Sequence, residues 1–79
     1  MENVTPDRVL DTCGKCCPMP IVETNRAIKA LKPGQVLEIV ATDIGTEKDI
    51  PSWCERTGNT LLGSENRDKT YRYYVRKGA

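Results

Sequence analysis

Apolar residues recur along this chain with two different periods. From Pro18 to Leu31 the residues Ile21, Thr24, Ile28 and Leu31 keep helical spacing, with Val22 and Ala27 widening the stripe and Glu23, Arg26, Lys29 and Lys32 on or beside the wet face. This predicts a first helix over residues 18–31, stopped by Lys32-Pro33-Gly34. Residues 35–42 contain the nearly unbroken apolar run Val36-Leu37-Glu38-Ile39-Val40-Ala41, the pattern of an interior strand. In Thr70 to Arg76 the period is two: Tyr71, Tyr73 and Val75 face one way, Arg72, Tyr74 and Arg76 the other.

Weaker signals fill in the remaining elements. A short strand is predicted over residues 8–12, with Val9 and Asp11 on one face and Leu10 on the other. Thr46-Glu47-Lys48-Asp49 has the spacing of a loose capping box, but Pro51 follows too closely for an uninterrupted helix. The expectation is therefore a single 3₁₀ turn over 46–49 and a helix proper from Ile50, capped by Asp49. Its inner face would be Ile50, Trp53, Cys54 and Thr57, and Gly58 would end it. Residues 60–64 and 70–76 read as a hairpin joined by a polar turn around Asn66-Arg67-Asp68-Lys69. The order β-α-β-α-β-β predicts an α+β fold, one sheet with both helices on one face, because so short a chain cannot easily cover two.

At 79 residues the chain is expected to form one domain, 1–79, with residues 1–7 frayed. Its 38% hydrophobic and 29% charged residues fit a globular chain, and no stretch approaches the ~20 apolar residues of a membrane span. No positive region followed by an apolar one opens the sequence, so a cytoplasmic location is expected. Twelve basic against eleven acidic residues leave a net charge of +1, which argues against coating a polyanion and for a protein partner. Tyr74 between Arg72 and Arg76 has the look of a base-stacking site, but no wider basic stripe supports direct nucleic-acid binding. Trp53 and the other tyrosines read as packing residues.

The cysteines change the picture. Three of the four lie within Cys13-Gly14-Lys15-Cys16-Cys17, clustered where they would close no useful disulfide loops, so reduced thiols with chemistry are expected. Histidine is absent, which excludes Cys–His nucleophile pairs and imidazole-ligated zinc. Cys17 directly precedes Pro18, and proline suits the first helical position because its φ is already helical and its missing N–H would have had no partner. A thiol there meets unpaired amides and the positive end of the helix dipole, which favour thiolate. Pro20 also falls in the first turn, so the Met19 amide is the one best placed to face the sulfur. Cys17 is thus the expected reactive thiol, with Pro18 and Pro20 shaping the helix start. Cys54, on the inner face of the second helix, reads as core.

The line Leu10-Asp11-Thr12-Cys13-Gly14-Lys15-Cys16-Cys17-Pro18-Met19-Pro20 resembles the signature of the TusA/SirA family of small sulfur-carrier proteins, in which Leu-Asp, a loop Gly and Cys-Pro-x-Pro mark a strand–loop–helix junction. The likeness continues through Lys32-Pro33-Gly34, Asp43, Asp49-Ile50-Pro51 and Tyr73 to Lys77, covering essentially the whole chain. The resemblance implies a two-layer α/β sandwich with a four-stranded mixed sheet, similar to the C-terminal domain of translation initiation factor 3. It also implies a persulfide, or a thiosulfonate, carried on Cys17 and relayed from a donor protein to an acceptor protein. Such a protein is a sulfurtransferase-type carrier rather than a turnover enzyme, works as a monomer and needs no cofactor. The pathway served, whether tRNA thiolation, cofactor synthesis or sulfur oxidation, depends on its partners.

Cys13 and Cys16 depart from the commonest family pattern. Their Cys-Gly-Lys-Cys spacing is that of a redox motif, yet it precedes the helix rather than opening it. Several roles stay open for the pair: a reversible disulfide, attack on a Cys17 persulfide as auxiliary thiols, metal binding through three thiolates, or none. Metal would need a fourth ligand, and Cys54 is expected away from this loop, so no metal is expected. The rival to a carrier is a redox or regulatory module using Cys13 and Cys16; a nucleic-acid-associated domain rests on fold analogy alone. Lys15 reads as a solvated loop lysine beside the thiols.

Overall fold

The computed structural model describes residues 5–15 and 19–78. In chain order the elements are β1 (Arg8–Asp11), α1 (Met19–Ile28), β2 (Val36–Ala41), α2 (Thr46–Thr57), β3 (Thr60–Arg67) and β4 (Thr70–Arg76). The strands form one sheet in the order β1-β2-β4-β3, with β1 parallel to β2 and the other two pairings antiparallel. The fold is the expected α+β sandwich with a mixed sheet.

One face of the sheet carries the core. Leu37 and Ile39 from β2 and Tyr71, Tyr73 and Val75 from β4 form one cluster with Ile28 and Leu31 at the end of the first helical segment and Ile50, Trp53 and Cys54 from α2. Leu10 packs against this cluster while Val9 stays largely exposed, so β1 alternates as its sequence suggested. On α1 the buried positions are Pro20, Thr24 and Ile28, whereas Val22 is 41% exposed and does not widen the inner stripe. The regular helix stops at Ile28, short of Leu31. Ala30 and Leu31 instead donate to carbonyls three residues back, a tightened last turn that still buries Leu31.

The start of α2 differs from expectation. The α-helix begins at Thr46 and runs unbroken through Pro51 to Thr57. The tight turn lies one step earlier, where the amides of Thr46, Glu47 and Lys48 donate to the carbonyls of Asp43, Ile44 and Gly45. No capping box forms. The residue before the helix is Gly45, with no side-chain cap, and the Asp49 amide donates to the Gly45 carbonyl. Pro51 forfeits one helical hydrogen bond, but continuity places Thr46, Ile50, Trp53 and Cys54 together on the buried face. Full burial of Ile50 alone is worth about 1.5–3 kcal/mol, which offsets much of a proline's penalty. Thr57, expected inside, is exposed; its hydroxyl donates back to the Trp53 carbonyl. Gly58 ends the helix with φ 76°, its amide on the Cys54 carbonyl.

The final hairpin is longer than its sequence suggested. β3 continues to Arg67, and only Asp68 and Lys69 turn the chain, both with positive φ as a type I′ turn requires. A bulge between Leu61 and Gly63 lets Leu61 face the core while the rest of β3 keeps pairing with β4. On the helix-free face Tyr74 is 9% exposed rather than open, beside Glu38, whose carboxylate accepts a 2.8 Å hydrogen bond from Arg72.

Candidate functional site

The site lies where β1 and β2 end side by side. Thr12, directly after β1, is fully buried; its amide and hydroxyl both donate to the Val40 carbonyl, at 2.7 and 2.8 Å. From this anchor the chain turns through Cys13, Gly14 and Lys15. All three amides of the turn are satisfied. That of Cys13 donates to the Asp11 carboxylate at 2.9 Å, that of Gly14 to the Thr42 hydroxyl at 2.8 Å, and that of Lys15 to the Thr12 carbonyl at 3.1 Å. Gly14 has φ 82°, which an L side chain rarely adopts, so glycine is what the turn needs here.

Lys15 is not simply solvated. Its ammonium pairs with the Glu23 carboxylate on α1, joining the turn to the second turn of that helix across the intervening thiol segment. Cys16, Cys17 and Pro18 lie outside the described residues, and the description resumes at Met19, the first residue of α1. Pro20 sits in the first turn of α1, as expected. It is also fully buried, so it packs as well as shaping the helix start, and its carbonyl accepts the Thr24 hydroxyl at 2.7 Å.

The two described cysteines have opposite surroundings. Cys13 is exposed beside Asp11, whose carboxylate accepts its thiol and so favours the protonated form; a smaller desolvation effect acts the same way, and Arg72 acts against them. The Asp11 carboxyl is held below its ordinary range chiefly by the Cys13 amide, then by the Cys13 thiol. Cys54 is 3% exposed among core residues, as expected, and burial pushes its thiol up to about 11. Among the described residues no group of three or more Cys, Asp or Glu side chains is arranged to hold a metal ion.

Sequence reasoning singled out Cys13, Pro20 and Asp11 but passed over Thr12, Thr42 and Glu23. The available signal was the matched pair of threonines directly after the two parallel strands, Thr12 after Asp11 and Thr42 after Ala41. A hydroxyl at a strand end is a common partner for the backbone of an adjoining turn. Which turn it serves depends on strand order, which no local pattern contains.

Part of the apolar surface of α1 is open to solvent. Met19 and Val22, one turn apart on α1, are 43% and 41% exposed. Beside them an open groove of about 290 Å³ is lined by Ile21, Val22, Asn25, Trp53, Arg56 and Thr57. No helix among the described residues is long and apolar enough to cross a membrane.

Comparison with known proteins places the chain in a family. The chain is 38% identical over 79 residues to the sulfur carrier protein TusA of Pseudomonas putida strain W619, covering all of this chain and 99% of that one. It is 43% identical over 79 residues to a putative sulfur carrier protein of Aquifex aeolicus, of which it spans 40%, and 49% identical over 70 residues to the putative sulfur carrier protein YrkF of Bacillus subtilis, of which it spans 38%. The chain thus spans about two-fifths of the length of these last two relatives. In fold it is similar to the crystal structure of a SirA-like protein from Desulfitobacterium hafniense, with a TM-score of 0.79 at 18% identity over 91% of this chain and 99% of that one. The family described as Sulfurtransferase TusA matches residues 8–77, nearly the whole length, and the chain belongs to that family.

Proposed function

We propose that this protein is a sulfur carrier that accepts sulfane sulfur on Cys17 and passes it to a partner protein. Membership of the TusA family carries the reading, joined to the position of Cys17 in Cys-Pro-Met-Pro, between a turn tied to the sheet and the start of α1. In the loading step the Cys17 thiolate attacks the terminal sulfur of a donor persulfide. The new S–S bond forms on Cys17, the donor's S–S bond breaks, and the donor leaves as thiolate while the proton stays on the transferred sulfur. Delivery is the same exchange in reverse order: an acceptor thiolate takes the terminal sulfur and Cys17 departs as thiolate. Anionic sulfur on Cys17 occurs at both steps, and a helix N-terminus favours it at both. A thiosulfonate is the alternative cargo.

Cys17 acts before Cys13, because the Asp11 carboxylate favours the protonated form of the Cys13 thiol. Cys16 and then Cys13 are auxiliary thiols that a Cys17 persulfide can reach later. Exposed Met19 and Val22 offer donor and acceptor proteins an apolar contact beside the thiol segment. The carrier works as a monomer in the reducing cytoplasm.

The test is loading with a sulfur donor followed by intact mass spectrometry. Wild type gains the mass of one or more sulfur atoms, and Cys17→Ser, folded normally by circular dichroism, gains none. Equal loading of Cys17→Ser overturns the assignment.

A further inference from the structure

The three amides of Cys13-Gly14-Lys15 are all satisfied, but not by the same kind of partner. Asp11 and Thr12 belong to the same stretch of chain, so the Cys13 and Lys15 bonds define the shape of the turn. The Gly14 amide instead reaches 28 residues along the chain to the Thr42 hydroxyl, at 2.8 Å. That bond sets where the turn sits against the end of β2. Thr42 lies just outside that strand and is exposed, so its side chain contributes to neither sheet pairing nor core. The positive φ of Gly14, with open space where a Cβ would be, is the backbone state in which its amide makes this bond. Lys15 of the same turn pairs with Glu23 of α1, which follows the thiol segment in the chain.

We infer that Thr42 is a positioning residue for sulfur transfer: through the Gly14 amide it registers the thiol-bearing loop against the sheet, and so against the start of α1. This rests on the carrier reading above. The hydroxyl touches no reacting atom; it acts through the turn. Small displacements of a reacting group can lower rates by about a hundredfold at 1 Å, so loss of one registering bond is expected to be visible in rate before it is visible in stability.

The experiment uses a Cys13→Ser/Cys16→Ser background, in which Cys17 is the one thiol left besides the buried Cys54, and compares Thr42, Thr42→Val and Thr42→Ser. Sulfur is loaded from inorganic tetrasulfide, which transfers one sulfur to the thiolate and leaves as trisulfide. Loading rate, the pH profile of Cys17 alkylation by iodoacetamide, and the thermal midpoint are measured. Thr42→Val is expected to load about tenfold more slowly and to move the alkylation profile to higher pH, because the turn that leads into the thiol segment loses its tie to the end of β2. Its midpoint should stay within about 2 °C of the parent, and Thr42→Ser should restore both rate and profile.

Parental rate and profile in Thr42→Val overturn the inference. So does failure of serine to restore them, or a loss of rate matched by a loss of thermal stability. Cys17→Ser in the same background separates the two levels. If it loads no sulfur while Thr42→Val behaves as the parent, the carrier reading stands and the positioning role falls. If it loads normally, the carrier reading itself falls.

Discussion

The Tyr73 hydroxyl lies 2.8 Å from the Thr46 hydroxyl, and because Thr46 gives its one proton to the Asp43 carbonyl at 2.7 Å, Tyr73 is the donor. This pair pins the first turn of α2 to the centre of β4, with both residues at most 2% exposed. Burial, the largest influence, pushes the Tyr73 phenol up, so it stays a donor across the neutral range.

Removing either hydroxyl should therefore destabilise the fold unequally. Tyr73→Phe leaves one Thr46 lone pair without its donor and should cost about 1 kcal/mol in urea denaturation. Thr46→Val strands the buried Tyr73 donor and also cuts the bond to Asp43, so a loss of about 2–3 kcal/mol is expected. Equal losses would show that the Asp43 bond contributes nothing.

Asp11 should control the reactivity of Cys13. Asp11→Asn removes the negative charge that favours the protonated thiol, so the Cys13 pKa falls toward its ordinary value and alkylation of Cys13 at pH 8 speeds up. Peptide mapping of a time course gives the rate, and an unchanged rate would show that the carboxylate has no hold on the sulfur.

Cys54 makes stability depend on alkaline pH. Its thiol is raised to about 11 in the fold against an unfolded value near 9, so the unfolded chain ionises first. The contribution is complete below pH 9 and is lost progressively as pH rises toward 11. Denaturation midpoints of wild type should fall across that interval more steeply than those of Cys54→Ala, which starts lower because it leaves a cavity.

The β3–β4 turn is open to improvement. Asp68 and Lys69 hold φ of 50° and 64°, a conformation that Asn-Gly adopts with less strain. The double substitution Asp68→Asn/Lys69→Gly should raise stability by about 0.5–1 kcal/mol, read as a higher urea midpoint at unchanged slope. A lower midpoint would mean that the entropy added to the unfolded chain by glycine outweighs the relieved strain.

Much of the architecture could be read locally because it is written in periodicity. The apolar run from Val36 to Ala41, the alternation of Tyr71, Tyr73 and Val75, and the stripe of Thr24, Ile28 and Leu31 each require one buried face, and each found it. The reading faltered where a local rule met a tertiary demand. Pro51 argued for a broken helix, but joint burial of Thr46 and Ile50 kept it whole. Polar Asn66 and Arg67 read as part of a turn, yet their backbone pairs with Tyr71 and Thr70 and their side chains simply face outward.

The sequence by itself determined the fold class, the element order and the likeness of the thiol motif to one family, because each is carried by residues close together in the chain. Only the tertiary structure decided which hydroxyl receives the Gly14 amide, which carboxylate receives Lys15, and that Tyr74 lies covered beside the Glu38–Arg72 pair. These contacts join residues that strand order and packing bring together. Thr42 reaches Gly14 because β1 and β2 run parallel and adjacent, a relation that exists only once the helix between them has folded onto the sheet.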